Sequence, residues 1–208
     1  MLINRVCFRT MNYKNIIFDL GGVVFARDRS KCSEEFQSFF SFVSKVGTPL
    51  FWDEYDRGTL SFDEVKAEIC RFRQCDLATC EAMINEAIGR QEEMASTCRL
   101  VAELKQAGYK LYVLSNMSRE FIDFLRRLPV YKQFDGEVVS CEVGFIKPER
   151  EIYEILLSRY GLSAAESLFI DDRQANLDGA KNAGIEGFLF DSRNPEVSCS
   201  ELRSLLLD

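Results

Sequence analysis

The sequence predicts an α/β protein, with a Rossmann-like parallel sheet, helices on both of its faces and a small α-helical bundle inserted after the first strand. Short apolar runs rich in β-branched and aromatic residues alternate with helical segments over residues 90–208, which is typical of parallel βαβ units. Residues 30–89 carry helical patterns and no strand signal. A chain of 208 residues, 47% of them apolar, is long enough to bury such a core.

The first strand is predicted at Ile16–Phe18, an apolar run too short for a helix and suited to a strand buried on both faces. Asp19 follows this strand directly, where an isolated carboxylate is costly unless it meets a cation or hydrogen-bond donors. Gly21 and Gly22 allow a sharp turn and a close approach of the backbone to a ligand. The alternative interpretation is that Asp19 is only a polar residue that ends a strand before a turn.

The inserted segment begins with a helix that Ser33 can cap and that Gly47 and Pro49 stop. One apolar face of this helix contains four residues at helical spacing: Phe36, Phe39, Phe40 and Val43. Two further helices are predicted, one after the capping box Ser61–Glu64 and one from Asp76 to Gly89. Between them and the first helix lie Trp52 and Tyr55, which we expect to be packing residues rather than ligand contacts.

The remaining segments alternate between helix and strand. The predicted strands are Leu111–Leu114, Glu137–Val139, Leu168–Ile170 and Gly187–Phe190. The predicted helices run from about Leu100 to Gly108, from Ser118 to before Pro129, from Glu149 to Tyr160, and from after Asp172 to Ala183.

Polar residues follow three of the predicted strands: Asp19, Ser115-Asn116 and Asp171-Asp172. Ligands of open parallel sheets bind at this carboxyl edge, and Lys147 lies in a loop that can reach it. Three carboxylates brought together would repel one another unless a hard divalent cation lies among them, and Mg²⁺ is the usual choice for oxygen ligands. Ser115, backbone N–H groups and Lys147 would hold a tetrahedral anion beside the metal. This arrangement suits phosphoryl transfer through an aspartyl-phosphate.

The sequence resembles the haloacid dehalogenase-like (HAD) hydrolase superfamily from Met11 onwards. Four motifs carry the resemblance, in order along the chain: Phe18–Val23, Leu114–Asn116, Lys147-Pro148 and Asp171–Asn176. The closest pattern is that of small sugar-phosphate phosphatases whose first motif reads D-L-G-[GN]-V. The resemblance implies that residues 30–89 are the family's helical cap and residues 12–29 and 90–208 its core. Residues 1–11 are then an N-terminal extension, and Met11 is a candidate translation start.

By the same resemblance, Asp19 is the nucleophile, and Lys147 offsets the charge on Asp19 and on the phosphate. Ser115 and the Asn116 amide bind the phosphoryl oxygens. Four residues are implied as Mg²⁺ ligands: Asp19, the Gly21 carbonyl, Asp171 and Asp172. The resemblance does not decide whether Asp171 or Asp172 contacts the metal directly. Asn176 is expected to orient their loop, with contact to a ligand as the alternative.

One departure from the family pattern concerns the proton donor. Most phosphatases of the superfamily carry an acid/base Asp two residues after the nucleophile, and here Gly21 occupies that position. A water or a cap residue would then supply the proton, and four cap acids are candidates: Asp53, Glu54, Asp56 and Asp63. The expected function is a Mg²⁺-dependent phosphatase for a small phosphomonoester. The alternatives are a catalytically silent protein that binds phosphate or a partner, and a metal-independent dehalogenase.

Composition excludes several other classes of protein. The chain contains no histidine, so a Ser-His-Asp triad, a His general base and His-ligated zinc are excluded. A net charge of −7 without a basic stripe argues against a nucleic-acid partner. The absence of a secretory or membrane-spanning apolar run makes a cytoplasmic location the expectation. The eight cysteines form no C-x-x-C pair and are expected to be reduced thiols. The oligomeric state is not predicted.

Overall fold

The computed structural model describes residues 13–26, 29–43 and 48–208. Three expectations therefore lie outside the described residues: the N-terminal extension at 1–11, the start at Met11 and the helix stop at Gly47. Among the described residues, no helix is both long enough and apolar enough to cross a membrane.

A five-stranded parallel sheet forms the centre of the structure, and a second pair of strands is antiparallel. The strands are β1 (Asn15–Phe18), β2 (Phe25–Ala26), β3 (Glu92–Glu93), β4 (Lys110–Ser115), β5 (Gly136–Val139), β6 (Ser167–Asp171) and β7 (Glu186–Leu189). The order in the large sheet is β5-β4-β1-β6-β7, so β1 lies in the middle and the chain switches direction beside it. Such a switch point is where open α/β sheets bind ligands.

Ten α-helices surround or extend this sheet within the described ranges. They are α1 (Glu34–Phe39), α2 (Leu50–Arg57), α3 (Phe62–Arg73), α4 (Leu77–Gly89), α5 (Ala95–Gln106), α6 (Arg119–Leu125), α7 (Ser140–Val143), α8 (Arg150–Tyr160), α9 (Gln174–Asn182) and α10 (Pro195–Leu206). Short 3₁₀ turns occur at Arg29–Lys31, Pro129–Gln133 and Ala164–Glu166.

Both faces of the sheet are covered, as predicted. Ile16 and Phe18 pack into a cluster with residues of α5 and α10, whereas Ile17 packs on the opposite face with residues of α8 and α9. All three side chains are fully buried. A strand with both faces buried explains why its sequence is continuously apolar rather than alternating. The predicted α/β fold with a helical insertion after the first strand is confirmed.

The helical insertion, α1–α4, has an apolar core of its own. Trp52 and Tyr55 of α2 are buried there, and Trp52 packs against Phe40 and Phe42, which follow α1. Trp52 also meets Phe121 of α6 edge to face at 6.5 Å. The capping box at Ser61 and Glu64 forms as expected. The two chain segments that join the insertion to the sheet pair as β2 and β3, which the sequence analysis did not predict.

Other local expectations differ from the structure. The first helix of the insertion ends at Phe39 rather than continuing through Val43. Ser118 occupies the N-cap position of α6, but its side chain makes no capping hydrogen bond. Helix α10 was not predicted, although Pro195 begins it and three of its residues, Cys199, Leu202 and Leu206, are buried. The described cysteines are free thiols, as expected.

Candidate active site

The carboxyl ends of three adjacent strands bring the predicted polar residues together. Asp19 follows β1, Ser115 ends β4 and Asp171 ends β6, and β1 pairs with the other two. Asp19, Ser115 and Asp171 are all buried. Their side chains therefore lie in one corner of the sheet edge, at the switch point described above.

Lys147 forms the centre of this corner. Its Nζ lies 2.8 Å from Asp19 Oδ1 and 2.7 Å from Asp171 Oδ2, and it donates a hydrogen bond to the Leu114 carbonyl oxygen at 2.9 Å. The Lys147 side chain is 1% exposed. The peptide bond between Lys147 and Pro148 is cis. All three ammonium protons thus have acceptors, which a buried charge requires.

The charges of the corner shift one another's pKa values. Burial raises the pKa of Asp19, the Lys147 ammonium opposes this rise, and the nearby Asp171 and Asp172 carboxylates add to it. Burial alone would lower the pKa of Lys147, but the charges of Asp171 and Asp19 outweigh burial and hold that pKa above its ordinary value. Lys147 is therefore a permanent cation in this site.

Asp171 is anchored by four hydrogen bonds. Besides Lys147, the Arg173 backbone N–H donates to its Oδ1 at 2.8 Å, and Asn176 Nδ2 donates to both carboxylate oxygens at 3.0 and 2.9 Å. Asn176 thus holds the loop that follows β6, which agrees with its predicted orienting role. Asp172 lies on the same loop and is partly exposed.

Asp19, Asp171 and Asp172 form a group that fits a metal ion. Each offers one carboxylate oxygen, and these oxygens lie within 4.8 Å of one another. Gly22 approaches this group closely: it has φ +81°, and a Cβ there would lie 2.7 Å from Asp172 Oδ2. Three carboxylates beside a single lysine leave an excess of negative charge, and oxygen ligands suit hard divalent cations. Gly21, whose carbonyl was the fourth expected ligand, lies exposed on the same turn.

A place for an anion lies opposite the acids. Ser115 Oγ is buried and has no hydrogen-bond partner, which is rare for a buried hydroxyl unless a ligand completes it. The Asn116 side chain is occupied by the Lys147 peptide unit, since Oδ1 accepts from Lys147 N at 2.7 Å and Nδ2 donates to Lys147 O at 3.0 Å. Asn116 therefore fixes the lysine loop with its side chain and can offer an anion only its backbone N–H.

The four candidate acids of the insertion differ in position. Asp53 and Asp56 lie one turn apart on α2, and the charge of Arg173, from the loop after β6, acts on both. Asp63 instead pairs with Lys66 on α3, and its side chain is 90% exposed. The backbone carbonyl of Glu54 accepts hydrogen bonds that close the end of α2. Arg173 was not singled out from the sequence, because only the docked position of α2 brings it near Asp53 and Asp56.

Comparison with known proteins places this fold and site in a family. A model of the haloacid dehalogenase-like hydrolases matches residues 13–184. The protein belongs to that family, and the expected enzyme class is confirmed.

Two phosphatases are among the relatives that match along most of the chain. The sesquiterpene phosphatase AstK of Aspergillus oryzae is 28% identical over 196 residues, which are 93% of this chain and 97% of the relative. The D-ribitol-5-phosphate phosphatase of Bacteroides thetaiotaomicron is 27% identical over 190 residues, 84% of this chain and 90% of the relative.

Solved structures show the same architecture. A HAD-like family hydrolase from Porphyromonas gingivalis superimposes with a TM-score of 0.75 at 26% identity, covering 95% of this chain and 99% of that one. A HAD family enzyme of Bacteroides thetaiotaomicron, solved in complex with magnesium and inorganic phosphate, has a TM-score of 0.69 at 23% identity, covering 86% of this chain and 95% of that one. The second similarity concerns the fold alone.

Proposed function

We propose that this protein is a Mg²⁺-dependent phosphatase that cleaves a small phosphomonoester, a sugar phosphate, through an aspartyl-phosphate on Asp19. The observation that carries the proposal is the corner in which Lys147 bridges Asp19 and Asp171 beside the unpartnered hydroxyl of Ser115. A buried cation and a buried donor without a partner together suit an anion next to a carboxylate nucleophile.

Each residue of the corner has a proposed task. Ser115 Oγ and the Asn116 backbone N–H bind phosphoryl oxygens, and Lys147 offsets the charge of the phosphate and of Asp19. Asp19 attacks phosphorus with one carboxylate oxygen. The proposed Mg²⁺ ligands are Asp19, the Gly21 carbonyl and the Asp171-Asp172 pair. When bound, Mg²⁺ neutralises charge on the phosphoryl group and brings it close to the nucleophile.

The two members of the Asp171-Asp172 pair have different surroundings, which suggests different tasks. Both carboxylate oxygens of Asp171 already accept hydrogen bonds, from Lys147, Arg173 and Asn176. Asp172 is partly exposed and lies against the Gly22 turn. We assign the closer metal contact to Asp172 and the positioning of Lys147 to Asp171.

The charged residues near the site favour a polar leaving group on the substrate. These residues are Asp53 and Asp56 on α2 and Arg173 in the loop after β6. Hydroxyl groups of a sugar or sugar alcohol can hydrogen-bond to such residues, whereas a terpene chain would desolvate them without compensation. The D-ribitol-5-phosphate phosphatase among the relatives supports this substrate class, and the sesquiterpene phosphatase defines the contrasting one.

The domain division is part of the proposal. We assign residues 30–89 to a cap, and residues 12–29 and 90–208 to the core. The insertion has an apolar cluster of its own, to which the core contributes Phe121 of α6, and β2 and β3 join the two parts through two residues each. A cap of this kind would close over a small metabolite and exclude water.

The test is phosphate release from 4-nitrophenyl phosphate, a panel of sugar and sugar-alcohol phosphates, and a sesquiterpenyl phosphate. Each substrate is measured with Mg²⁺, with EDTA and with the Asp19→Asn variant. We expect turnover that needs both Mg²⁺ and Asp19 and that is fastest on a sugar or sugar-alcohol phosphate. Faster turnover of the terpenyl phosphate would reject the substrate class but keep the mechanism.

A catalytically silent binding protein is the second candidate, because Gly21 removes the usual acid. It predicts phosphate binding without turnover on any member of the panel. A metal-independent dehalogenase predicts halide release from 2-haloacids in EDTA. Mg²⁺-dependent phosphate release would exclude both.

A further inference from the structure

The proposed reaction lacks a proton donor at the usual position. An alkoxide leaves phosphorus poorly unless it is protonated, and general acid catalysis typically contributes about 10²- to 10⁴-fold. Gly21 has no side chain, and a Cβ placed on it would meet no atom within 4 Å. The space where the usual acid would stand is therefore open, and a donor from another element can face it.

The end of α2 is fixed against the core by three contacts. Arg57 forms a bidentate ion pair with Glu149, with N–O distances of 2.7 and 2.6 Å. Gly58, at φ +81°, packs so closely on α7 that a Cβ would lie 2.5 Å from the Cys141 carbonyl oxygen. Ser140 Oγ donates a hydrogen bond to the Asp56 carbonyl oxygen at 2.5 Å. These contacts hold the backbone of Asp56 in place relative to the core.

Asp56 lies beside the loop that carries Ser115 and Asn116, because Ser140 Oγ, which contacts the Asp56 carbonyl oxygen, also accepts a hydrogen bond from the Met117 backbone N–H at 2.9 Å. The Asp56 carboxyl group interacts with the Ser118 backbone N–H of this loop, which lowers its pKa. It lies within electrostatic range of Asp19 and of Arg173. The residue as a whole is partly exposed.

We propose that Asp56 is the general acid of this phosphatase and donates its proton to the oxygen of the leaving alcohol. This inference rests on the proposed function and replaces the acid that is missing at Gly21. It also gives α2 a second task beyond covering the site, because docking of α2 delivers the proton donor.

The proposed reaction has two steps, formation of the aspartyl-phosphate and its hydrolysis. An Asp19 carboxylate oxygen forms a bond to phosphorus while the bond between phosphorus and the ester oxygen breaks. The proton of the Asp56 carboxyl group moves to that ester oxygen, and the alcohol leaves as a neutral molecule. Water then attacks phosphorus of the aspartyl-phosphate, inorganic phosphate leaves, and the proton lost by water returns to the Asp56 carboxylate.

The surroundings of Asp56 keep it protonated near neutral pH. Burial and the negative charges of Asp53 and Asp19 raise its pKa to about 7, although Arg173 and the Ser118 N–H act in the opposite direction. Two further groups interact with it electrostatically, the Tyr55 hydroxyl and the Cys141 thiol. A carboxyl group with a pKa near the working pH can both give and accept a proton.

The other acids of the cap are placed less well. The charges acting on Asp53 are those of Arg173 and Arg57, whereas Asp19 acts on Asp56. Asp63 is exposed and paired with Lys66 on α3. Asp63→Asn is therefore the control, because it removes a cap acid that is exposed on α3.

The experiment compares release of the alcohol in a single turnover for two esters, with Mg²⁺ present. One is 4-nitrophenyl phosphate, whose leaving group needs no proton, and the other is the best alkyl phosphate of the panel. For Asp56→Asn we expect a loss of about 10²- to 10⁴-fold on the alkyl ester and a small change on the aryl ester. Asp63→Asn should change both rates little and equally.

The pH profile gives an independent readout on the wild-type protein. Alcohol release from the alkyl ester should fall as the pH rises through about 7, since Asp56 then loses its proton. Release from the aryl ester should lack this fall. A wild-type alkyl profile without a fall on the alkaline side would overturn the proposal even if no variant folded.

A failure of the proposed role of Asp56 can be distinguished from a failure of the proposed phosphatase function. Equal losses on both esters in Asp56→Asn, or no loss on either, would overturn the role of Asp56 while leaving Asp19 as nucleophile. No alcohol release from either ester by the wild-type protein would overturn the proposed function and this inference with it. Rescue of alkyl cleavage by adding Gly21→Asp to Asp56→Asn would support the proposal, because the open space at Gly21 then receives the usual acid.

Discussion

Two groups of acids, one at the strand ends and one on α2, have different surroundings. Asp19 and Asp171, at the ends of buried strands, share the Lys147 ammonium within 2.8 Å. Asp53 and Asp56, on α2, have the charge of Arg173 nearby, and their pKa values are raised above the ordinary value. Burial raises the pKa of Asp19 as well as that of Asp56, but the Lys147 ammonium pairs directly with Asp19 and opposes the rise there.

This difference shows how aspartate residues in one site can perform two tasks. A carboxylate paired with a permanent cation suits nucleophilic attack and metal binding, whereas a carboxyl group whose pKa burial raises to about 7 suits proton donation. The core supplies the first surroundings through strand ends, and the cap supplies the second through a docked helix. The following experiments change one group at a time.

Lys147→Met should have the largest effect on stability. The substitution leaves Asp19 and Asp171 buried without their cation, and breaking a buried pair from one side typically costs about 3–5 kcal/mol. Urea denaturation at pH 7 without divalent cations measures this loss. The control is Lys14→Met, because Lys14 pairs with Glu166 on the surface, where such pairs contribute about 0–1 kcal/mol. A similar small loss in both variants would contradict the assigned role of Lys147.

Mg²⁺ should stabilise the folded protein through the strand-end acids and not through the acids of α2. At a concentration 100 times its Kd, a ligand that binds only the folded state adds about 2.7 kcal/mol to the free energy of unfolding. Thermal denaturation with and without Mg²⁺ should show this gain in the wild type and in Asp53→Asn, and its loss in Asp172→Asn. An undiminished gain in Asp172→Asn would remove that residue from the metal site.

Asp56→Asn should stabilise the protein at neutral and alkaline pH. Because the folded state raises the pKa of Asp56 to about 7, ionisation of this carboxyl group costs folding free energy. The cost is absent below the unfolded-state pKa, grows as the pH rises towards 7 and is complete above it. The variant's melting temperature should therefore exceed that of the wild type above pH 7, and the two should converge near pH 4. A constant difference across this range would contradict the shift.

Arg57→Gln should have the smallest effect. Arg57 and Glu149 are 26% and 34% exposed, and a pair of this kind contributes about 1 kcal/mol. A double-mutant cycle with Glu149→Gln, read by urea denaturation, isolates the interaction. The same cycle on Arg99 and Glu196, which pair on the exposed surface, should give a smaller coupling. Equal couplings would mean that the pair does not fix α2 more firmly than a surface contact.

The strand-end residues could be predicted from the sequence because their signals are local. Apolar runs of three or four residues followed by Asp19, Ser115 or Asp171 indicate both the strand and the polar residue that ends it, and the order of motifs joins them. Helix caps such as Ser61 and Asp76 also depend on neighbouring residues alone, and both form as predicted.

Other features depend on contacts between distant residues and could not be predicted in this way. Strands β2 and β3 have two residues each, too few for a periodic pattern. The sequence named four cap acids without a choice among them, because only the docking of α2 on α7 and Glu149 separates Asp56 from the others. The hydrogen bonds between the Asn116 side chain and the Lys147 backbone likewise could not be predicted, because they depend on the position of the loop that carries Lys147.

Chemical trapping of the phosphorylated enzyme tests the central claim most directly. The wild-type protein is mixed with its best phosphate ester and Mg²⁺, quenched, reduced with sodium borohydride and digested for mass spectrometry. The account predicts homoserine in place of Asp19, dependent on both the ester and Mg²⁺ and absent in EDTA. Release of phosphate with Asp19 unmodified, or reduction at another aspartate, would contradict it.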